Sequence, residues 1–312
     1  LSEISFDNNF SLARKFETMQ ARARLIQSIR LFFINHGFLE VETPLRIPSP
    51  APEENIEALP SGNWFLQTSP ELCMKRLLSA GYPRIFQISK CFRHSERGDR
   101  HLPEFTMLEW YAAQFGYHQL MDQCQTLLLS VCEDMGITKN LVWQNKKINM
   151  TPPWEKISVT DAFLKYSPVT LEKALAQDKF DEILVDYIEP HLSVNRPAFI
   201  YDYPADLASL ARLSQNNPDV SERFELYIGG LEIANGFSEL TDAREQKQRF
   251  EKALKIRAGK NWAPYAMPEK FLRSLAALPP CAGIALGIDR LMMIFTGKEK
   301  IDDVVTFTPE EL

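Results

Sequence analysis

The sequence predicts an α+β fold, and three observations carry that expectation. Phe92 to Tyr111, FRHSERGDRHLPEFTMLEWY, reads as strand, charged loop, strand. A second pair of strands meets at Gly229-Gly230, a dipeptide suited to a two-residue hairpin turn. Around them, apolar residues recur at helical spacing over 12–35 and about 118–135.

In the first helix Leu25, Ile29, Phe32 and Phe33 form the apolar stripe, Arg14, Arg22, Arg24 and Arg30 are interspersed, and Gly37 supplies a C-terminal stop. Periodicity alone leaves two readings open, a helix packed on its own core and a helix packed on a partner. FLEVETPLR then reads as a short strand running into Pro44. Pro48, Pro50, Pro52 and Pro60 break up a loop that also carries Glu53, Glu54 and Glu57, and loops of this kind often cover sites. Phe65 to Thr68 is strand-like, and a helix follows that ends near Gly81. Ser69 as its N-cap, Pro70 at the first helical position and Glu71 in the first turn make an ordinary helix start.

The segment from Glu104 to Tyr111 alternates, so Phe105, Met107, Glu109 and Tyr111 share one face and Thr106, Leu108 and Trp110 the other. Both faces are largely apolar, which predicts a central strand covered on both sides. Glu109 then lies between Met107 and Tyr111, where an unpaired carboxylate is costly. It requires a cation, either a core Arg or Lys or the ammonium of a ligand. The preceding loop is dense in charge, with Arg93, His94, Glu96, Arg97, Asp99, Arg100 and His101. Phosphate contacts, an aromatic stacking surface and an ammonium pocket in one stretch suggest a nucleotide plus an amine.

After the helix at about 118–135, residues from about 136 to 195 show a mixed helical pattern, read as a helical insertion in which Thr170 is a cap. Ala198 to Tyr203 restores a strand. With a two-residue turn at Gly229-Gly230, Ile228 pairs with Leu231, Tyr227 with Glu232 and Glu225 with Ala234. Glu225 and Glu232 then share a face on a diagonal of roughly 7 to 8 Å. Two readings remain: a hard divalent cation lies between them, usually Mg2+ holding phosphate oxygens, or one acid points to solvent. TDAREQKQRFEKALKIRA continues as a charged amphipathic helix with a solvated face. In CAGIALGIDRLMMIF a strand enters a helix. Gly283, Ala285 and Gly287 leave one strand face nearly bare, Asp289 is placed to cap the helix, and Arg290 lies in its first turn.

Composition sets the bounds. The 312 residues are 45% hydrophobic and 24% charged, and the net charge of -6 opposes a broad electrostatic grip on nucleic acid. The five cysteines, Cys73, Cys91, Cys124, Cys132 and Cys281, form no CxxC pair, which argues for neither a disulfide framework nor structural zinc and fits a reducing cytoplasm. LSEISFDNNF has no basic region followed by an apolar stretch. The longest apolar run, Ile284 to Phe295, contains Asp289 and Arg290, so no membrane span is expected.

RHLPEFTMLEWY closely resembles motif 2 of class II aminoacyl-tRNA synthetases of the lysine type, which typically reads F-R-x-E, a loop, then R-H-x-P-E-F-T-M-x-E-x-Y. The first helix with FLEVETPLR resembles motif 1, and CAGIALGIDRLMMIF resembles motif 3. The resemblance covers roughly four fifths of the chain. It implies a class II synthetase catalytic domain over 1–312, with a mixed, mostly antiparallel β-sheet flanked by helices and a homodimer built through motif 1.

Carried over residue by residue, the resemblance implies an adenine stacked on Phe105 and phosphates held by Arg93, His101 and Arg290. Ser95, Glu96, Leu102, Ile233 and Gly287 join the ATP site, and Glu225 and Glu232 become the Mg2+ ligands. The amino-acid site comprises Ser69, Pro70, Glu71, Glu109, Tyr111, Asn235, Glu239 and Ala285. Asn235 meets the substrate carboxylate, and Glu239 joins Glu109 and Tyr111 around the side-chain ammonium. Three positions depart from the pattern. Ser95 stands where the family has Glu, with Glu96 one place along; Leu102 stands where Asn is common; and Ala285 stands where glycine is usual.

Lysyl-tRNA synthetases of this type carry an anticodon-binding barrel before motif 1, and here only about two dozen residues precede that helix, so anticodon recognition is not expected. The layout with Ala285 resembles the elongation factor P lysine ligases, barrel-less paralogues that join lysine or (R)-β-lysine to a protein lysine. The implied chemistry is ATP-dependent formation of an acyl-adenylate, without a protein nucleophile, and transfer to elongation factor P. A tRNA-charging fragment and a non-catalytic lysine- and ATP-binding paralogue are the alternatives.

Overall fold

The computed structural model describes residues 12–260 and 262–312. In chain order, α1 (Phe16–Asn35), β1 (Leu39–Glu40), β2 (Arg46–Ile47), β3 (Pro60–Ser61), β4 (Trp64–Leu66) and α2 (Glu71–Ser79) lead into the long hairpin β5 (Arg84–Phe92) and β6 (Glu104–Ala113). Then come α3 (Tyr117–Asp134), the hairpin β7 (Asn140–Trp143) and β8 (Lys146–Asn149), β9 (Glu155–Ser158), and the short helices α4 (Val159–Tyr166), α5 (Leu171–Ala176) and α6 (Phe180–Ile183). The chain closes with β10 (Ala198–Pro204), β11 (Val220–Ile228), β12 (Leu231–Ser238), α7 (Ala243–Gly259), α8 (Glu269–Ser274), β13 (Cys281–Gly287) and α9 (Ile288–Thr296).

Eight strands make one sheet in the order β1-β5-β6-β13-β12-β11-β10-β9. The two outermost pairings, β1 with β5 and β9 with β10, are parallel and the others antiparallel, so the mixed, mostly antiparallel α+β sheet is borne out. β6 lies inside the sheet, paired with β5 on one side and β13 on the other, and its alternation falls as the sequence predicts. Leu108 and Trp110 are fully buried in the larger core, with Leu25, Ile29 and Phe33 of α1, the apolar face of α3, and α9. The opposite sheet face, carrying Met107, Glu109 and Tyr111, is roofed by α2, α7, α8 and the proline-rich loop, and the cavity lies there.

Four sequence-derived expectations need correction. The stretch 136–195 is not purely helical: it opens with the hairpin β7–β8, turned by Gln144 and Asn145 at φ 50° and 58°, and β9 then adds an edge strand to the main sheet. Only α4 to α6 and the irregular turns after them form a helical satellite, with its own core of Phe163, Phe180, Ile188 and neighbours; Thr170 caps α5 as expected, accepting from Lys173 N–H at 3.3 Å. The second correction concerns the cap of α2. The helix begins at Glu71 with Pro70 in the cap position, and the Ser69 hydroxyl accepts from Glu71 N–H at 3.0 Å. Asp289, thirdly, does not cap α9: its carboxylate accepts from Thr106 N–H at 2.7 Å and pairs with Arg22 at 2.6 Å, tying α1, β6 and α9 together. Finally α7, capped by Asp242, is not a purely solvated helix, because Gln246, Phe250, Ala253 and Arg257 are buried.

Candidate active site

One cavity of about 660 Å3 is lined by residues of motifs 2 and 3, the proline-rich loop, the start of α2 and the β11–β12 hairpin. Its inner end is acidic. Glu109, Tyr111 and Gly283 face it from the sheet, and Ser69 and Glu71 from the start of α2. Glu109 is 1% exposed; its Oε1 accepts from the Ser69 hydroxyl at 2.6 Å and its Oε2 from the Tyr111 hydroxyl at 2.8 Å. Burial, reinforced by the charge of Glu71, pushes the Glu109 carboxyl up to about 8.

Glu239, which the resemblance places with Glu109 and Tyr111 around the substrate ammonium, has its Oε1 beside Gly283 and Tyr111. It does not line the cavity; it lies behind it, 1% exposed, against the ammonium of Lys75. Lys75, also 1% exposed, bridges Glu239 and Glu71 and sits over the Phe237 ring at 5.1 Å. Burial alone would lower the Lys75 ammonium, but Glu239 and Glu71 outweigh it and hold the lysine charged. Glu71 and Glu239 therefore share one resident cation, and the acid left with hydroxyl partners but no cation is Glu109. Sequence reasoning missed Lys75, although its place one helical turn after Glu71 was a usable signal.

Gly283 makes this packing possible. A Cβ there would fall 2.2 Å from Tyr111 Cε1 and 2.5 Å from Glu239 Oε1, so only glycine lets both side chains cross the strand. Ala285, beside Glu109 on β6 and Asn235 on β12, puts one methyl on the same wall.

The outer end is basic. Arg290 donates to the Glu232 carbonyl at 3.0 Å, to Glu232 Oε2 at 3.1 Å and to His101 Nε2 at 2.6 Å. Burial and then the Arg290 charge lower the His101 imidazole, so the neutral ring is the acceptor. Arg93 stacks over Phe105 at 5.1 Å and stands 3.7 Å from Glu96, which lines the cavity. Ser95 does not line it. At φ 60° it turns the loop, its hydroxyl is 2.7 Å from His94 Nδ1, and the turn brings Glu96 to the cavity wall. Pro70 is also absent from the wall, while Leu102, Ile233, Asn235 and Gly287 are part of it.

The β11–β12 hairpin carries the acid pair. Its turn is as predicted, with Gly229 and Gly230 at φ 63° and 78°, but its register is not. Tyr227 pairs with Glu232 and Leu226 with Ala234, so Ile233 is an extra residue and Glu225 pairs with Asn235 rather than Ala234. This bulge changes the parity of β12. Glu232 and Asn235, three residues apart, would face opposite sides of a regular strand; here both line the cavity together with Glu225. Glu225 accepts from Arg223 at 2.6 Å and from the Tyr227 hydroxyl at 2.9 Å, and burial together with Glu232 raises its carboxyl above the ordinary range. Among the described residues no cluster of three or more His, Cys, Asp or Glu side chains forms a protein-only metal cage. Two carboxylates beside a phosphate-sized basic end suit Mg2+, which keeps waters and takes phosphate oxygens as its remaining ligands.

Several buried polar atoms at this site have no hydrogen-bond partner: Arg93 Nε, Arg223 Nε, Asn235 Oδ1 and Glu239 Oε1. Arg93, Arg223 and Asn235 line the cavity, and the two arginine N–H groups are donors that a bound phosphate or carboxylate would satisfy. All five cysteines are free, and among the described residues no helix is long and apolar enough to cross a membrane.

Comparison with known proteins agrees with this geometry. The family model for class II tRNA synthetases (D, K and N) matches residues 9–311. An elongation factor P--(R)-beta-lysine ligase of Proteus mirabilis is 39% identical over 305 residues, covering 92% of this chain and 93% of that protein. One of the same name from Salmonella paratyphi B is 39% identical over 310 residues, with the same coverage. A lysine--tRNA ligase of Variovorax paradoxus is 35% identical over 315 residues, and there the match spans 61% of the relative's length. A sheet of this order, motifs converging on one cavity and a match over nearly the whole sequence place this chain in the class II tRNA synthetase family.

Proposed function

We propose that this chain is an ATP-dependent ligase that activates lysine, or its β isomer (R)-β-lysine, as an acyl-adenylate and transfers it to a lysine side chain of elongation factor P. The observation that carries the reading is the cation-deficient acid Glu109 at one end of a cavity whose other end holds Arg93, His101 and Arg290. A buried carboxylate with two hydroxyl donors and no cation selects an ammonium-bearing side chain. The relatives' names support the amino acid and the acceptor, and this chain matches ligases of that name over nearly their full length.

In this reading the substrate ammonium sits against Glu109 and Tyr111, and Asn235 orients the carboxylate. Phe105 and Glu96 take the adenine, and Arg93, His101 and Arg290 hold the phosphates. Glu225 and Glu232 hold Mg2+, which neutralises phosphate charge. The substrate carboxylate then displaces pyrophosphate from the α-phosphate, and the residues contribute positioning and charge without forming a covalent bond. The exposed apolar side chains Leu31, Ile34 and Leu39 on α1 and β1 fit a homodimer through this surface, and the reaction belongs to the cytoplasm.

The test is ATP–pyrophosphate exchange with α-lysine, (R)-β-lysine and the other standard amino acids, followed by transfer to elongation factor P or to tRNA. Lysine-dependent exchange and transfer to the protein acceptor are expected. Exchange stimulated equally by all amino acids would refute the pocket, and transfer to tRNA alone would refute the acceptor.

A further inference from the structure

The loop between β5 and β6 brings Arg93, Glu96, Arg100 and His101 to the cavity wall, yet from Arg93 to His101 it has no apolar side chain beyond its glycine, and none of these residues is buried. A segment held by polar contacts alone opens easily. At its base Arg93 N–H donates to the Pro103 carbonyl at 2.9 Å, and His94 N–H donates to the Glu57 carbonyl at 2.8 Å. On the cavity side it meets Arg290, which donates to the Arg100 carbonyl at 3.4 Å and to His101.

The other side is held by residues 301–311. Arg97, next to Glu96 but not on the cavity wall, donates from Nε and Nη2 to the two oxygens of Glu310, both at 2.9 Å, and from Nη2 to Asp302 at 2.9 Å. Ile301 N–H donates to the Asp99 carbonyl at 2.8 Å. The segment that supplies these partners is itself rooted: Ile301, Val304 and Val305 are buried in the larger core, and Glu311 pairs with Lys15 at 2.8 Å, at the start of α1. Hydrogen bonds from Arg97 hold the Glu310 carboxyl down to about 2, so the grip persists at neutral pH. An exposed ion pair adds little to global stability. What a forked guanidinium on two acids does fix is geometry, and here it fixes a loop with no core of its own.

We propose that Arg97 is a positioning residue for the nucleotide: by gripping Asp302 and Glu310 it fastens the charged loop to the 301–311 segment and so sets where Glu96, Arg100 and His101 stand when ATP arrives. This rests on the functional reading above, in which Glu96 and His101 meet ATP. The loop is then held at the back by the protein and completed at the front by the ligand, and loosening the back weakens ATP without touching the acidic end of the cavity.

The experiment measures ATP affinity by titration calorimetry with Mg2+ on the full chain, for the wild type, Arg97→Gln, Arg97→Lys, Asp302→Asn with Glu310→Gln, and the three neutralising changes combined. Hydrogen–deuterium exchange over 94–101, melting curves and KM for lysine accompany it. In Arg97→Gln, Kd for ATP should rise about tenfold and exchange over 94–101 should quicken, while KM for lysine changes less than about twofold and Tm less than about 2 °C. The acid pair should give the same loss, the combined variant should add less than about twofold to it, and Arg97→Lys should recover part. Unchanged ATP affinity, with or without faster exchange, overturns the role of Arg97, as do additive losses or a Tm fall of several degrees with KM for lysine rising in parallel. A wild-type chain that binds ATP but shows no lysine-dependent pyrophosphate exchange refutes the amino-acid reading and leaves Arg97 standing; one that binds no ATP refutes both.

Discussion

Replacing Glu109 with Gln should make the empty protein more stable and lysine binding much weaker, and the size of the first effect follows from the structure. The Glu109 carboxyl is raised from an ordinary 4.5 to about 8, chiefly by burial, with Glu71 adding to it. Between those values the folded state holds a proton that the unfolded state has released, so the group's contribution to stability falls as pH rises through this window. At about 1.4 kcal/mol per pH unit, the loss accumulated from pH 4.5 to pH 7 is on the order of 3 kcal/mol, and a neutral glutamine avoids it. Glutamine also fits the local hydrogen bonding, since the Ser69 and Tyr111 hydroxyls can each donate or accept. Ligand-free melting temperatures should therefore coincide near pH 4.5 and separate by several degrees by pH 7, with the variant higher. Saturating lysine should raise the wild-type value and leave the variant unmoved, because losing one partner of a buried charge pair costs about 2–5 kcal/mol of binding. A pH-independent difference, or a variant that still discriminates lysine from other amino acids, would refute the assignment of this strand face.

Gly283→Ala should raise KM for lysine at least about tenfold and change KM for ATP little, since the added methyl displaces Tyr111 and Glu239 at the acidic end only; steady-state exchange kinetics separate the two. Arg22→Ala removes the cation from the buried Asp289 and should cost about 3–5 kcal/mol in urea denaturation, with the loss confined to stability if the remaining folded fraction keeps its KM values. On the proposed pairing through α1, the wild-type chain should sediment as a dimer and Leu31→Glu combined with Ile34→Glu, both on the exposed face of that helix, as a monomer with unchanged far-ultraviolet circular dichroism; a monomeric wild type would refute the pairing, and a variant that stays dimeric would place the interface elsewhere.

Much was legible in the chain because local chemistry and tertiary role coincide there. The period of two in 104–111 fixed which face of β6 carries Glu109, and a regular strand leaves no other choice once both faces are buried. Gly229-Gly230 marked its turn because two successive residues must adopt positive φ. The apolar stripe of α1 and the strand-to-helix passage at 281–296 were likewise readable from spacing.

What the sequence left undecided depends on contacts between segments far apart in the chain. The bulge at Ile233 has no local signature, yet it alone brings Asn235 to the side that Glu225 and Glu232 share. Whether Glu239 meets substrate or a resident lysine depends on how α2 lies across the sheet, because only that packing brings Lys75 between Glu71 and Glu239. Asp289 looked like a helix cap from its position, but Arg22 and Thr106, more than 180 residues away, compete for it and win by burying the pair. The sequence by itself determined which residue types were present to make an ammonium site and a phosphate site. The tertiary structure decided which of those charges cancel one another and which remain open, because that balance is a sum over neighbours the chain order does not reveal.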